Sequence, residues 1–430
     1  MTPEVEQKIR LISKGQAPEG YRKTPAGIVP QDWAEYSLGE VYTERKQAGD
    51  PSLPVLSVSI HTGVSDGELD EETLGKKVKR IEDKTQYRTA LEGDLVFNMM
   101  RAWQGAIGVA RSRGLVSPAY IVAKPGDRIY PPFMDYYMKT PRMINWIQRM
   151  SYGVTDFRLR LYWDSFEQIP CVLPPLHEQQ RIVEILKVQD TILDLGQQRI
   201  EQIKRMKKEL LKKMFPQKDS AMPEMRFPGF TAPWEQRKFS DLAETRRGLT
   251  YNPSNVRASG IRILRSSNIT EDQFTYGDED VFVEQDAVNI PYANCGDILI
   301  TSANGSTRLV GKHAIIRDIP NNLAVHGGFM LLATAKNPEF VNALMSAPWY
   351  SRFISLYVAG GNGAIGNLNK NDLDDQDVVV PDGAEQKVIG EFFHQLDNLI
   401  TLHQRALETE QKKKKALMQL LLTGLVRVKV

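Results

Sequence analysis

Residues 361–366 read Gly361-Asn362-Gly363-Ala364-Ile365-Gly366, a GxGxxG string that cradles a phosphate when it joins a strand to a helix. The NLNKNDLDDQD that follows carries no helical stripe, so dinucleotide or S-adenosylmethionine binding is not expected there. No GxxxxGK[ST], HExxH or GxSxG occurs in the chain. ATP hydrolysis, zinc proteolysis and elbow-serine hydrolysis therefore lack their parts.

Two further strings imitate chemistry without completing it. Tyr130-Pro131-Pro132-Phe133 has the Pro-Pro-aromatic end of a loop used to hold an adenine amino group, but Tyr130 supplies neither amide nor carboxylate; a strand-to-helix connection is expected. Pro381-Asp382 with Glu385-Gln386-Lys387 imitates a nuclease PD…ExK set, yet its acidic positions are too close for separate strands to present them to one metal. Glu385 also falls at a helix start, where the helix dipole favours an acid. His61, His177, His313, His326, His394 and His403 are scattered and read as structural or surface residues. Cys171 and Cys295 are too few for a disulfide framework or a zinc site, and both are expected to be buried. The sequence points to no catalytic residue, no metal and no cofactor bound by this chain.

The elements that remain must come from the rest of the 430 residues, enough for about three folded units. With 41% hydrophobic and 25% charged residues the composition is globular. No apolar run reaches the ~18 to 20 residues of a membrane span, and MTPEVEQKIR is charged where a signal peptide is apolar, so a cytoplasmic protein is expected. The net charge of +2 is unevenly spread. Residues 31–170 hold 18 basic and 19 acidic groups and 229–384 hold 13 and 18, whereas 178–215 hold 9 and 6 and 385–430 hold 8 and 5.

That symmetry reflects an internal repeat. Aligning 178–215 with 385–422 without a gap, at an offset of 207, gives 11 identities in 38 positions, among them Glu178, Gln179, Ile182, Asp190, Leu195, Lys207 and Leu210 with their partners. Upstream the offset drifts: Gly93-Asp94 matches Gly296-Asp297 at 203, and Trp33 matches Trp234 at 201. The chain is a tandem duplication with small insertions between anchors.

Both repeated segments start after a proline, carry an early Glu, and are Lys-rich toward the end, as long helices should be. A shared 3-4 spacing places Ile182, Leu186, Leu193, Ile200, Ile203 and Leu210 on one seam, and Ile389, Phe393, Leu396, Ile400, Leu407 and Leu417 on the other. An intramolecular antiparallel pair is expected, since neither stripe can bury itself. Lys14 precedes Trp33 by the same 19 residues that separate Phe215 from Trp234, so the N-terminus is expected to mimic a helix end.

The blocks between the helices look α/β: short β-branched runs (LPVLSVSI, DLVFNM, DILIT, HAIIR), Gly-Asp turns, and amphipathic helices near 133–149 and 338–356. The organisation reads as an N-terminal segment 1–29, a variable block 30–172, a long helix 173–215, a linker 216–228, a second block 229–380, and a helix with tail 381–430.

GYRKTPAGIVPQDWAEYSLGEV, LPPLHEQQRIVEIL, MRFPGFTAPWEQRKFSDL and LMQLLLTGLVRV, taken together with the duplication, resemble the specificity (S) subunit of Type I restriction–modification systems over nearly the whole chain. The resemblance implies a mixed α/β protein. Its two blocks would be target recognition domains in pseudo-two-fold arrangement, joined by two helices in an antiparallel coiled coil. It implies double-stranded DNA as ligand, two methyltransferase (M) subunits and restriction (R) subunits as partners, and no membrane. S-adenosylmethionine, ATP and Mg would then sit on the partners. PDGAEQK lacks the double proline of LPPLHEQQ, which bears on local helix-start geometry. The readings set against this one are a coiled-coil scaffold without base readout and a stand-alone methyltransferase or nuclease.

Neutral to acidic domains can bind DNA when phosphate positioning and base readout are carried by local clusters. In the first block the candidates are Lys79 and Arg80 in the cluster Lys76, Lys77, Lys79, Arg80; Asn98, Arg101, Trp103 and Gln104 after the GDLVF strand; and Arg158 and Arg160. In the second block they are Asn304, Ser306, Arg308 and Lys312 in the equivalent loop, with Arg265, Asn268 and Asn362. Arginine suits guanine edges, and Asn or Gln suits adenine. The Lys412–Lys415 run is a further phosphate candidate, with a solvated helix face as the alternative.

Overall fold

The structure is a computed structural model that describes residues 3–25, 27–60, 63–67, 84–153, 159–217, 220–277, 280–320, 322–358 and 366–428. The chain divides into two compact units, residues 1–195 with 407–430 (unit 1) and residues 196–406 (unit 2). Each contains one of the two variable blocks and a stretch of both long helices, Leu176–Met214 and Gly383–Leu422.

In unit 1 a four-stranded antiparallel sheet runs in the order Tyr42–Glu44, Tyr120–Pro125, Leu95–Asn98, Ile107–Val109. Strand side chains alternate between faces. Leu95, Phe97, Ile121 and Ala123 join a core with Phe133, Met134, Ile182 and Leu186 of the helices. Val96 and Val122 face a second core with Leu56 and Val116. Unit 2 repeats the arrangement with strands Ala243–Arg247, Met330–Ala335, Ile298–Thr301 and His313–Ile315 in that order. Ile298, Ile300, Leu331 and Ala333 pack with Phe340, Ile389 and Phe393, while Leu299 and Leu332 face the opposite core.

The Gly-Asp turns work identically in both sheets. Gly93 and Gly296 sit at φ 89° and 93°, a left-handed conformation that favours glycine. The following aspartate folds back on its own turn: Asp94 accepts from the Leu91 amide at 2.8 Å and Asp297 from the Asn294 amide at 2.9 Å. Each is also salt-bridged to an arginine of the neighbouring segment, Arg45 at 2.6 Å and Arg246 at 3.4 Å.

The helix starts explain two of the repeated residues. In unit 1 Glu178 is buried, accepting from Trp33 Nε1 at 3.1 Å and from Arg427 Nε and Nη2 at 2.7 and 2.8 Å. In unit 2 Glu385 accepts from Trp234 Nε1 at 3.2 Å and from Arg226 Nε and Nη2 at 2.9 and 2.6 Å. The next residue ties the helix to the preceding block: Gln179 binds the Tyr130 amide and the Arg128 and Pro174 carbonyls, and Gln386 binds Asn337 and the Pro381 carbonyl. Where the second helix lacks a double proline, Asp382 caps it, accepting from the amides of Ala384 and Glu385.

The two helices run antiparallel within each unit. All twelve apolar residues assigned to the seam from sequence are buried or half-buried. Four of its polar interruptions are paired: Gln189 donates to Glu410 at 2.6 Å, and Lys414 meets Asp190 in unit 1 as Lys207 meets Asp397 at 2.5 Å in unit 2. Those lysines and aspartates are identities of the repeat.

Other expectations are adjusted. The amphipathic stretch of each block is two short helices, Pro131–Tyr137 and Pro141–Met150 in unit 1, Pro338–Ser346 and Pro348–Tyr357 in unit 2, because the second proline lacks the amide a continuous helix requires. Pro131 and Pro132 open the first of them, the strand-to-helix role read for Tyr130–Phe133. The N-terminus is helical over Pro3–Ser13 but buries no residue there, unlike Phe215. Cys171 is buried, whereas Cys295 is exposed, because it sits in the turn Asn294–Asp297.

Candidate nucleic-acid interface

The loop after the Gly-Asp strand has the same local construction in both units. In unit 1 Asn98 ends the strand, its Oδ1 accepts from the Met100 amide at 2.9 Å, a 3-10 turn spans Ala102–Gln104, and Gly105 closes it at φ 99°. In unit 2 the strand ends at Thr301, three residues are inserted, and Asn304 Oδ1 accepts from Ser306 at 2.9 Å. The 3-10 turn there is Thr307–Leu309, and Gly311 closes it at φ 85°. The Asn turn holds the backbone so that the side chains beyond it point from a fixed frame.

A second segment lies beside each loop. Leu161 donates its amide to Met99 O at 2.9 Å, and Leu368 does the same to Ser302 O at 2.7 Å. Arg160, exposed and 3.5 Å from the Tyr162 hydroxyl, is thereby brought beside the 98–105 loop. Tyr152 pairs its backbone with Arg160 and its ring lies 5.2 Å from that of Tyr162. In unit 2 Ala303–Asn304 pairs with Gly366–Asn367.

Arg101 and Gln104 in unit 1, and Ser306 and Arg308 in unit 2, are exposed. Neither Arg101 nor Arg308 has an ion-pair partner among the described residues. Such groups can donate to base edges or phosphates without first breaking an internal bond. Lys312 and Asn304 are half-buried, and Asn304 Nδ2 also donates to Ser266 Oγ at 3.1 Å. Arg265 is half-buried beside them and lines a cavity of about 640 Å³ with Ser266, Asn304 and Phe329.

Two candidates take other roles. Asn268 is fully buried: its amide donates to Thr275 O and Asp280 Oδ1 and its carbonyl accepts from the Arg265 amide, so it staples a turn and has nothing left for a base. Trp103 packs on the core and donates its indole N–H to Met100 O at 3.1 Å, which makes it a brace for the loop. Within the Lys412–Lys415 run, Lys413 pairs with Glu410 and Lys414 with Asp190. Lys79, Arg80 and Arg158, together with Lys76, Lys77, His61 and Asn362 of the GxGxxG string, lie outside the described residues.

Sequence reasoning passed over Phe329. It follows the Gly327-Gly328 pair inside what reads as an apolar core strand, yet its ring is 70% exposed. Its carbonyl accepts from the amides of both Ser302 (2.9 Å) and Ala303 (3.0 Å). Among the described residues no group of three or more His, Cys, Asp or Glu is placed to hold a metal, and no helix is long and apolar enough to cross a membrane.

Comparison with known proteins places this geometry in a family. Residues 30–205 and 232–410 each match the model for the Type I restriction modification DNA specificity domain. The MjaVIII Type I restriction enzyme specificity subunit of Methanocaldococcus jannaschii is 25% identical, over 97% of this chain and 99% of its own. The EcoKI specificity subunit of Escherichia coli K12 is 23% identical, over 88% of this chain and 82% of its own. Two solved structures share the fold. A chain from work on complex assembly and conformational transition of the type I R-M system covers 93% of this chain and 99% of its own, at TM-score 0.57 and 17% identity. The S subunit of the Type I restriction-modification system from M. genitalium covers 93% and 97%, at TM-score 0.54 and 14% identity. With both blocks matched over most of the chain, this protein belongs to the family of Type I restriction modification DNA specificity domain proteins.

Proposed function

We propose that this chain supplies the sequence recognition of a Type I restriction–modification assembly, each unit reading one half of a two-part DNA target. The supporting observation is one frame used twice with different loop ends. The Gly-Asp turns, the Glu–Arg–Trp clamps and the strand order repeat, while the side chains carried beyond Asn98 and Asn304 differ. A scaffold without readout gives no reason for that pattern of conservation and divergence.

In this reading Arg101, Gln104 and Arg160 serve one half-site and Arg308, Ser306 and Asn304 the other, through base-edge and phosphate contacts. Methyl transfer and cleavage belong to partner methyltransferase and restriction subunits, which hold S-adenosylmethionine, ATP and Mg. Two methyltransferase copies fit a repeated surface: Ile192 and Leu195 are exposed in unit 1, and their repeat equivalents Leu399 and Leu402 are exposed in unit 2.

The test is single-molecule methylation mapping of cells expressing the chain with its methyltransferase. A methylated motif in two parts separated by unspecified bases is the expected result. A continuous motif would remove the two-half reading. The purified chain alone is expected to transfer no methyl group and cut no DNA, and methylation by a verified pure chain would overturn its non-catalytic role.

A further inference from the structure

The turn that enters the central strand of each sheet is built alike. In unit 1 Tyr120 N donates to Ser117 O at 2.8 Å and Met99 N to Ala119 O at 3.1 Å. In unit 2 Met330 N donates to Gly327 O at 2.8 Å and Ser302 N to Phe329 O at 2.9 Å. Ala119 and Phe329 therefore occupy the same place in the frame. One position carries a methyl group, the other a phenyl ring.

Phe329 cannot be explained as core, since 70% of it is exposed, nor as a loose loop residue, since its carbonyl is bonded to both amides that open the recognition loop. A fixed backbone holding a large apolar ring in water leaves binding energy unspent until something covers the ring. Beside it lies the cavity of about 640 Å³, to which Gly327 and Gly328 contribute backbone without side chains; behind Gly327 the chain is packed tightly, since a Cβ on Gly248 would lie 2.0 Å from Gly327 O. Leu249 and Tyr251 give its walls apolar surface, and Asn304 and Ser266 stand at one side with amide and hydroxyl groups. Apolar contact is how a side chain reads the C5-methyl group of thymine, the only methyl that unmodified DNA presents in the major groove, and an amide beside it suits the adenine of the same pair.

Resting on the function proposed above, we propose that Phe329 and the cavity beside it form a thymine-methyl reader, which gives unit 2 a specificity contact that unit 1 lacks at Ala119. The experiment uses the full chain assembled with its methyltransferase. The mapped target supplies a duplex in which each thymine is replaced in turn by deoxyuridine, and binding is followed by fluorescence anisotropy. One replacement should weaken wild-type binding roughly four-fold, the value of burying one methyl group. The Phe329→Ala variant should bind the intact duplex roughly ten-fold more weakly, melt at the wild-type temperature and ignore that replacement. Phe329→Leu should keep part of the discrimination.

A wild type indifferent to every deoxyuridine, a Phe329→Ala variant that still discriminates, or a target without thymine in either half would each overturn the reader. If the wild type yields no two-part motif, the proposed function fails and the reader fails with it. A two-part motif without methyl coupling to Phe329 overturns the reader alone.

Discussion

In unit 1 the arginine that clamps the helix start is Arg427, five-eighths enclosed and shared between Glu178 and Asp32; in unit 2 it is Arg226, nearly enclosed and given to Glu385 alone. The carboxylates themselves are equally hidden. Two copies of one device thus differ in how much water reaches the cation, and the difference tests what holds each block on its helix. A buried carboxylate accepts hydrogen bonds only as long as its partners stay, and removing one side of a buried pair leaves the other uncompensated at about 3 to 5 kcal/mol. Glu385→Ala should cost unit 2 that amount, the largest single effect expected. Glu178→Ala should cost unit 1 less, because Arg427 keeps Asp32 and solvent. Hydrogen exchange read separately over the two units would measure both, and equal losses would mean that exposure of the arginine is irrelevant.

A second contrast is titratable. His326 is buried in unit 2, its Nε2–H donating to Arg246 O while Nδ1 has no partner, and burial holds its pKa down to about 4. His313 in the same unit is lowered by burial too. No histidine of unit 1 among the described residues is buried. The unfolded chain binds a proton near pH 6.5 that folded unit 2 refuses until about pH 4, so the stabilisation is complete above pH 6.5 and is lost as pH falls toward 4. For His326 the loss is about 3 kcal/mol. Urea unfolding between pH 7 and pH 4.5 should lower unit 2 faster than unit 1, and His326→Gln, which keeps a donor for Arg246 O, should flatten that slope.

What could be read in the sequence, and what could not, follows the distance over which a residue acts. The long helices, their seam and the Gly-Asp turns depend on neighbours within a few positions, and spacing alone finds them. Glu178 was legible only as an acid at a helix start, because its partner Arg427 lies 249 residues away. Asn268 sits in a polar string and looks like surface until Thr275 and Asp280 fold over it. Phe329 has the opposite history. Its apolar neighbours suggest a core strand, and only the turn at Gly327-Gly328 turns the ring outward.

The loops offer a smaller and more selective contrast. Arg101 stands three residues beyond the turn-forming Asn98, and Arg308 four beyond Asn304, so equivalent frames present guanidinium groups one position apart. Arg101→Ala and Arg308→Ala should each weaken cognate binding by about 1 to 3 kcal/mol and relax only one half of the target, a different half for each. Methylation mapping of both variants separates base readout from phosphate contact. A uniform loss across unrelated sequences, with a shallower salt dependence, would assign that arginine to the backbone.

The smallest effect on the fold is expected at the one repeated leucine that the units do not bury. Leu195 and Leu402 are identical in the repeat, yet 59% and 62% exposed, while the neighbouring identities at Asp190 and Lys207 have partners inside their own unit. Ile192 and Leu399, one helical turn before them, are exposed as well. Surface substitutions that break no internal contact usually shift stability by no more than about 0.5 kcal/mol. Leu195→Ser and Leu402→Ser should therefore leave both melting and isolated-chain DNA binding unchanged. If each patch seats one methyltransferase copy, as proposed, either variant should reduce assembly from two copies toward one, and the double variant should abolish it, read as mass by native mass spectrometry. Full assembly of the double variant would mean that the exposed leucines are not the seat, and the two copies, if there are two, would have to be held by surfaces that the repeat does not mark.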